Sequence, residues 1–162
     1  MTGQPKVYMM CGKICSGKST HAAALREQYH AAVLSVDEIT LALFGTDAGE
    51  MHDTYVERAE QYLYKKSLEL TAAGISVILD WGFWTREERG YARAFYAGHQ
   101  IGCELHYLDI PPAEWRRRIA KRNADIRAGS VSAYYVDDGL AAKFEAIFEP
   151  PADEEIDVRV GQ

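Results

Sequence analysis

Two glycines, two lysines and two serines stand close together near the start of the chain. The segment runs Gly12, Lys13, Ile14, Cys15, Ser16, Gly17, Lys18, Ser19, and it follows the pattern G-x-x-x-x-G-K-S/T without a gap. Glycines let the main chain curl so that successive N–H groups point at one anion. A helix beginning near Gly17 would add its positive end. We predict that this segment, together with Thr20, holds the phosphates of ATP, with GTP as the alternative nucleotide.

Lys18 and Ser19, the last two residues of this segment, have separate expected roles. The Lys18 ammonium would neutralise the β- and γ-phosphates, and the Ser19 hydroxyl would bind Mg²⁺. Asp80 is the expected second ligand of that metal, because an apolar run ends at this carboxylate. A purely structural glycine turn is the alternative. A preceding strand and a following helix favour phosphate binding over that alternative.

A second carboxylate, Asp37, ends the apolar run at residues 32–36. Beside a phosphate-binding segment, such a carboxylate can face the terminal phosphate. There it would take the proton of an acceptor hydroxyl, as general bases do in phosphoryl transfer. The alternative is a helix N-cap, a position that Asp favours, and the two roles are compatible. We predict that Asp37 is a catalytic base and borders the substrate.

The only dense basic cluster of this acidic chain lies between residues 116 and 127. Its members are Arg116, Arg117, Arg118, Lys121, Arg122 and Arg127. Arg118 and Arg122 are four residues apart and would share one face of a helix, while Trp115 and Ile119 would anchor the neighbouring face in the core. Arginine is suited to stabilising charge on a transferring phosphoryl group. A solvated helix face is the alternative, which the nearby phosphate-binding segment makes less favourable.

Aromatic and basic residues follow Asp80 directly. Trp81 and Phe83 would form a wall for an organic substrate, with core packing as a nearly equal alternative. One of the arginines Arg86 and Arg89 would bind a substrate anion or a neighbouring carboxylate. Tyr55, which follows His52 and Asp53, is a further candidate on the acceptor side.

These candidates occupy comparable places in an alternating pattern of strands and helices. Strands are predicted at residues 6–11, 32–36, 75–79, 103–108 and 156–160, and helices at 18–28, 38–44, 55–73, 86–99, 112–123 and 138–148. This alternation predicts an α/β fold with a parallel sheet and helices on both faces. Gly12, Asp37 and Asp80 all follow predicted strands, where ligands bind in such sheets. We expect Asp109, before two prolines, to be structural.

Length, composition and charge narrow the functional classes. The 162 residues are expected to form one domain, 1–162, and 48% of them are hydrophobic. A formal net charge of −6 makes nucleic acid an improbable partner. No apolar run approaches a membrane span and no signal segment precedes the first strand, so a cytoplasmic location is expected. Three cysteines without metal-binding spacing predict free thiols.

Together these pieces resemble small P-loop kinases of the AAA-type ATP-binding, zeta-toxin and chloramphenicol-phosphotransferase-like group. The resemblance extends over nearly the whole chain. It implies a three-layer P-loop NTPase fold with a five-stranded parallel sheet in the order 2-3-1-4-5. It also implies an arginine-rich helical lid, approximately residues 113–135, in which Arg118 and Arg122, with Arg127 as a further candidate, close over the phosphates. Asp37 takes the place of the general base.

The sequence therefore predicts an enzyme that transfers the γ-phosphoryl group of ATP to a hydroxyl of a small molecule. Its catalytic residues would be Lys18, Asp37, Arg118 and Arg122, and Ser19 and Asp80 would bind Mg²⁺. One alternative is a polynucleotide 5′-hydroxyl kinase, against which the acidic charge argues. A second alternative is a nucleotide-dependent binding or regulatory module without transfer activity.

Overall fold

A computed structural model describes residues 3–131 and 133–161. Along this part of the chain, five strands are separated by one or two α-helices, of which there are six. Their bounds are β1 Lys6–Cys11, α1 Lys18–Tyr29, β2 Ala32–Ser35, α2 Val36–Phe44, α3 His52–Ala72, β3 Val77–Asp80, α4 Arg86–Gly98, β4 Gly102–Asp109, α5 Pro112–Arg127, α6 Asp138–Ile147 and β5 Val158–Gly161. Two short 3₁₀ turns lie at Gly49–Met51 and Asp153–Glu155.

The strands form one parallel sheet in the order β2-β3-β1-β4-β5, which confirms the predicted topology. Strand β1 is central, and its Met9 pairs with Leu79 of β3 and Leu105 of β4. Ser35 at the end of β2 pairs with Asp80 at the end of β3. The carboxyl ends of β1, β2 and β3 therefore meet at one edge of the sheet.

Both faces of the sheet are covered by helices. Alternate residues of a strand point to opposite faces. On one face, Met9 belongs to a buried cluster with Tyr64 of α3 and Tyr96 of α4. On the other face, Met10 packs in a cluster with Leu25 of α1. Burial on both sides explains why β1 is almost uniformly apolar, and it confirms the three-layer arrangement.

Three helices depart from their predicted bounds by more than one residue, and one of them, α3, begins at His52 instead of residue 55. Helix α2 begins at Val36 instead of residue 38, because the Ser35 hydroxyl accepts a hydrogen bond of 3.2 Å from the Glu38 N–H and caps the helix. Ser35, and not Asp37, is therefore the N-cap. Helix α5 continues past residue 123 to Arg127, and a 2.8 Å ion pair between Lys121 and Asp125 lies on its added turn.

Helix α3 ends in a turn that uses a glycine. Gly74 has a φ of +85°, a conformation that glycine adopts readily, and its N–H donates to the Thr71 carbonyl at 3.0 Å. In the part of the chain that the structure describes, no helix combines the length and the apolar character needed to cross a membrane.

Candidate active site

The loop between β1 and α1 has the tight curvature that the glycine pattern predicts. Gly17 has a φ of 99°, and Cys15 has a φ of 59°, also in the left-handed region. That conformation costs a non-glycine residue on the order of 1 kcal/mol. At Gly12, an added Cβ would lie 2.5 Å from the Ser16 hydroxyl oxygen and 3.2 Å from the Leu108 carbonyl oxygen. The loop thus needs glycine at both ends of the pattern.

Lys18 lies within this loop. Its ammonium donates hydrogen bonds to the carbonyl oxygens of Gly12 and Lys13, at 3.0 and 2.7 Å. Burial lowers the pKa of Lys18, while the carboxylates of Asp80 and Asp37 act in the opposite direction. The structure therefore places a cation at the phosphate loop with two carboxylates close enough to affect it.

The two predicted metal ligands lie side by side. The Ser19 hydroxyl donates a hydrogen bond of 3.0 Å to Oδ2 of Asp80. Burial raises the pKa of Asp80 above its usual value, and the Lys18 ammonium offsets part of that rise. Within residues 3–131 and 133–161, no group of three or more His, Cys, Asp or Glu side chains is arranged to hold a metal. A hydroxyl and one carboxylate fit Mg²⁺, which commonly takes its other ligands from phosphate and water.

Asp37 lies in the first turn of α2, and its side chain is exposed. Its main-chain oxygen accepts a hydrogen bond from the Thr40 hydroxyl at 3.2 Å. Its carboxylate has no hydrogen-bond or ion-pair partner among the residues that the structure describes. Asp37 follows the carboxyl end of β2, where Ser35 pairs with Asp80, and its carboxylate affects the pKa values of Lys18 and Asp80. Its oxygens are accessible to a ligand there.

Helix α5 lies against the phosphate loop, and it brings two of the predicted arginines to it. Nη1 of Arg118 donates to the Ser16 carbonyl at 3.1 Å, and its Nε donates to Glu114 at 2.9 Å. Nη1 of Arg122 contacts the sulfur of Cys15 at 3.2 Å. Arginine side chains thus line the loop on the side of α5. All three cysteines, Cys11, Cys15 and Cys103, are free thiols.

The third arginine considered for the lid has different contacts. Arg127 is exposed, donates to the hydroxyl of Tyr135, and lies over the ring of that tyrosine at 5.0 Å from its centroid. These contacts connect it to the segment that follows α5. We therefore do not include Arg127 among the residues at the phosphate loop.

The aromatic residues after β3 divide between the core and the cleft. Phe83 is only 1% exposed and belongs to the main core cluster, which leaves no surface for a substrate. Core packing, the alternative for this residue, is what the structure shows. Trp81 is half-buried, stacks on Phe83 at 5.3 Å between ring centroids, and meets Tyr64 edge-on at 5.5 Å. Trp81 alone of the pair stays a candidate for the acceptor wall.

The two arginines predicted for the substrate side, Arg86 and Arg89, lie in different environments. Arg89 is 1% exposed, and it donates from Nε to Glu155 at 2.9 Å and from Nη1 to the Phe83 carbonyl at 2.9 Å. Of the two alternatives for this residue, a substrate anion or a neighbouring carboxylate, these contacts show the carboxylate, so Arg89 is a structural residue and not a substrate ligand. Arg86 is exposed at the start of α4, where its main-chain N–H donates to Glu149 at 3.2 Å. Its side chain remains a candidate for an anionic group.

Sequence reasoning missed Glu155, which is the last of three consecutive acidic residues, 153–155. No local signal identifies the partner of Arg89, because the two residues are 66 positions apart in the chain. The pair fixes the start of α4 to the segment before β5, and it supports the loop that follows Asp80.

Tyr55 lies on the side of the cleft formed by α2 and α3. Its ring stacks on Phe44 at 4.4 Å and borders a cavity of about 540 Å³ with Leu43 and Tyr62. This places Tyr55 beyond the far end of the helix that carries Asp37. Among the described residues, no hydrogen bond or ring contact connects Tyr55 with Lys18. Tyr55 therefore stays a candidate only for a part of the acceptor that lies far from the phosphates.

Another residue that the sequence did not indicate is Tyr134. Its hydroxyl shares a hydrogen bond of 2.7 Å with Thr40 of α2, and its ring meets His52 edge-on at 5.6 Å. The segment after α5 therefore reaches the helix that carries Asp37. A partner 94 residues away left no signal in the local sequence pattern.

The fold and the site can be compared with known proteins. The family model described as an AAA domain matches residues 7–151. A search among curated proteins found no match. Among solved structures, the APS kinase CysC of Mycobacterium tuberculosis, in complex with AMPPNP and APS, has 21% identity and a TM-score of 0.68, with 97% of this chain and 88% of that chain covered.

Two further structures share the fold. A gluconokinase from Sinorhizobium meliloti 1021 has 16% identity and a TM-score of 0.65, with 97% of this chain and 82% of that chain covered. A chain of the Pnkp1/Rnl/Hen1 RNA repair complex has 20% identity and a TM-score of 0.69, with 90% of this chain but 44% of that chain covered. The likeness to each shows a common P-loop fold. Since the AAA-domain model spans most of the sequence, this chain belongs to that family.

Proposed function

We propose that the protein is a kinase that moves the γ-phosphoryl group of ATP to a hydroxyl of a small molecule. The observation that carries the proposal is the position of Asp37. Its carboxylate has no partner among the described residues, and Asp37 follows the carboxyl end of β2, where Ser35 pairs with Asp80 of β3. A protein that only binds nucleotide needs the phosphate loop and the metal ligands, but it has no use for a base at this place.

The phosphate side supplies binding and charge. Main-chain N–H groups of the loop and the Lys18 ammonium would bind the phosphate oxygens. Ser19 and Asp80 would hold Mg²⁺, which supplies positive charge to the phosphates when it is bound. Arg118 and Arg122 contact the loop from α5 and would stabilise the charge of the transferring group.

The acceptor side supplies the proton transfer. Asp37 would orient the acceptor hydroxyl and take its proton while the hydroxyl oxygen forms its bond to the γ-phosphorus. The bond from that phosphorus to the oxygen bridging to the β-phosphate breaks, and ADP leaves with that oxygen. The proton on Asp37 then passes to solvent, since the side chain is exposed. Trp81 and Arg86 are the residues best placed to meet the rest of the acceptor, with Tyr55 further away.

The class of acceptor is supported by the comparisons. The APS kinase and the gluconokinase share the fold over most of both chains, and their names give small hydroxyl-bearing substrates. The likeness to the RNA repair complex keeps a polynucleotide 5′-hydroxyl kinase as the second candidate. The net charge of −6 favours the small molecule, because nucleic-acid binding usually needs a basic surface.

A screen for acceptor-dependent ADP formation tests the proposal. Sugars, nucleosides, amino sugars, adenylyl sulfate and a 5′-hydroxyl oligonucleotide would each be added to ATP, Mg²⁺ and the protein. We expect ADP release, and a phosphorylated product by mass, with one class of small molecule and little dependence on salt. Transfer to the oligonucleotide alone, falling steeply with salt, would support the second candidate. ATP binding without ADP release from any acceptor would support a regulatory module instead.

A further inference from the structure

Helix α5 contacts three consecutive residues of the phosphate loop. Trp115, Arg118 and Arg122 lie at spacings of three and four along the helix, and so on one face. Their polar atoms meet Ile14, Ser16 and Cys15. The arginines are accounted for by the proposed reaction, whereas the sequence offered only a core position for Trp115. Its contact with the loop calls for a separate explanation.

Trp115 holds one carbonyl of the loop in a fixed direction. Its indole N–H donates to the Ile14 carbonyl oxygen at 2.6 Å. The side chain is 2% exposed and belongs to a buried cluster with Ile119 and Val136. The Lys13 ammonium lies 4.7 Å from the centroid of its ring. An indole packed in this way has little freedom to move, so the carbonyl that it binds is also fixed.

A fixed carbonyl determines the direction of the next N–H. The peptide bonds of the described residues are trans, and in a trans peptide the C=O and the following N–H point in opposite directions. Holding the Ile14 carbonyl towards α5 therefore turns the Cys15 N–H to the other side of the loop. In the same way, the bond from Arg118 to the Ser16 carbonyl turns the Gly17 N–H away from α5.

The N–H groups of Cys15 and Gly17 both lack an acceptor among the residues that the structure describes. The N–H of Ser16, which lies between them, donates to the Lys13 carbonyl at 3.2 Å. Main-chain donors are rarely left unpaired unless solvent or a ligand takes the hydrogen bond. The φ of 59° at Cys15 is also a conformation that needs support from its surroundings. The Trp115 bond to the preceding carbonyl gives that support.

We propose that Trp115 is a positioning residue of the phosphate site: its indole N–H, through the Ile14 carbonyl, directs the Cys15 N–H to a phosphate beyond the α-phosphate. The inference rests on the proposed function, since it assumes that the loop binds nucleotide. According to this proposal, Trp115, a buried residue of α5, contributes to the affinity for the polyphosphate in addition to any contribution that it makes to folding.

The chain offers a matched control in Trp84. Its indole nitrogen is also buried, but it has no hydrogen-bond partner in the described part of the chain, and the ring packs on Phe144 at 4.9 Å. Trp115→Phe and Trp84→Phe both replace a packed indole by a phenyl ring. Only the first variant removes a hydrogen bond. Comparing the two separates the loss of the N–H from the loss of ring volume.

Calorimetric affinities for ADP and AMP, with melting temperatures, test the proposal. We expect Trp115→Phe to weaken ADP binding about five- to tenfold, as for the loss of one hydrogen bond, with AMP weakened less than about twofold. Trp84→Phe should leave both affinities within about twofold of wild type. Unchanged ADP affinity in Trp115→Phe, or equal losses for ADP and AMP, would overturn the proposal. Wild-type protein that binds neither ATP nor ADP would contradict the proposed function itself.

A second measurement needs no variant and decides the matter if Trp115→Phe does not fold. In ¹⁵N-labelled wild-type protein, the amide resonances of Cys15 and Gly17 should both move downfield when ADP saturates the site, and much less with AMP. ADP binding that leaves the Cys15 amide in place would overturn the proposal, because that N–H would then have no phosphate partner.

Discussion

The phosphate side and the acceptor side of the cleft are held in place by different kinds of contact. On the phosphate side, the main chain of residues 12–17 is fixed by donors to its carbonyl groups, from Lys18, Trp115 and Arg118. On the acceptor side, the segment after β3 is fixed by buried side chains. Phe83 lies in the core, and Arg89 binds Glu155 across 66 residues.

Because of this difference, we expect the two sides of the cleft to tolerate different amino-acid substitutions. A site made from main-chain N–H groups depends on backbone conformation, so glycine and the donors that orient the carbonyls are its critical residues. A site made from side chains on a packed frame can change its specificity at exposed positions while the frame stays the same. Substitutions on the phosphate side should therefore alter nucleotide affinity, and buried substitutions on the acceptor side should alter stability.

The buried pair of the acceptor side gives the largest expected effect. Arg89→Met leaves Glu155 without its partner in a site where the two side chains are 2% and 16% exposed. We expect the free energy of unfolding to fall by about 3–5 kcal/mol, measured by urea denaturation. Arg117→Met, which breaks an exposed pair with Glu114, should cost about 1 kcal/mol or less. If the free energy of unfolding fell equally in the two variants, the buried ion pair would contribute no more to stability than the exposed one, which would contradict this expectation.

Lys18 gives the corresponding test of the phosphate side. Lys18→Ala removes the ammonium that lies inside the loop, and ADP formation with the acceptor from the screen should fall about 10²–10³-fold. Its urea midpoint should change little. Lys121→Ala, which removes an exposed lysine of α5, serves as the control and should keep wild-type activity. Activity that survives in Lys18→Ala would mean that the loop does not bind the reacting phosphates.

A half-buried carboxyl on the acceptor side, that of Glu60, gives a smaller, pH-dependent effect. Burial raises the pKa of Glu60 to about 7 from 4.5, and the carboxylates of Glu88 and Glu57 add to the rise. Since the folded pKa is above the unfolded one, the contribution of Glu60 to stability is complete below pH 4.5 and is lost as the pH rises through about 7.

Glu60→Gln should therefore be more stable than wild type at about pH 8, by about 1 kcal/mol once solvent screening is allowed for, and should show no such gain at about pH 5. Thermal unfolding at both pH values measures this difference. Glu50→Gln, which is exposed and is not among the groups that affect Glu60, should behave like wild type at both. A gain of the same size at both pH values would show that the ionisation of Glu60 does not cause it.

The same contrast explains how much of the molecule could be predicted from its sequence. The glycine pattern and the alternation of strands and helices are local, and they were enough for the fold class, whereas the strand order came from the resemblance to P-loop kinases. The N-cap at Ser35 moved the start of α2 by two residues and took the capping role from Asp37. Such boundaries depend on a single side-chain hydrogen bond.

The acceptor side depended on contacts between distant parts of the chain. Core packing was one of two alternatives for Phe83, and nothing near Arg89 identifies its partner, because Glu155 lies 66 positions away in the chain. The contact of Tyr134 with Thr40 joins residues 94 positions apart. Pairings of this kind are set by the packing of the whole sheet, and a single sequence contains no record of them.

The central claim is that the cleft contains a base as well as a phosphate site. Asp37→Asn tests it most directly, in calorimetry with ATP and in the transfer assay with the acceptor from the screen. Asp109→Asn, at the end of β4, is the matched control. We predict that Asp37→Asn binds ATP within about twofold of wild type and loses transfer by about 10²–10⁴-fold, as for the removal of a general base. Full transfer activity in Asp37→Asn would contradict the account.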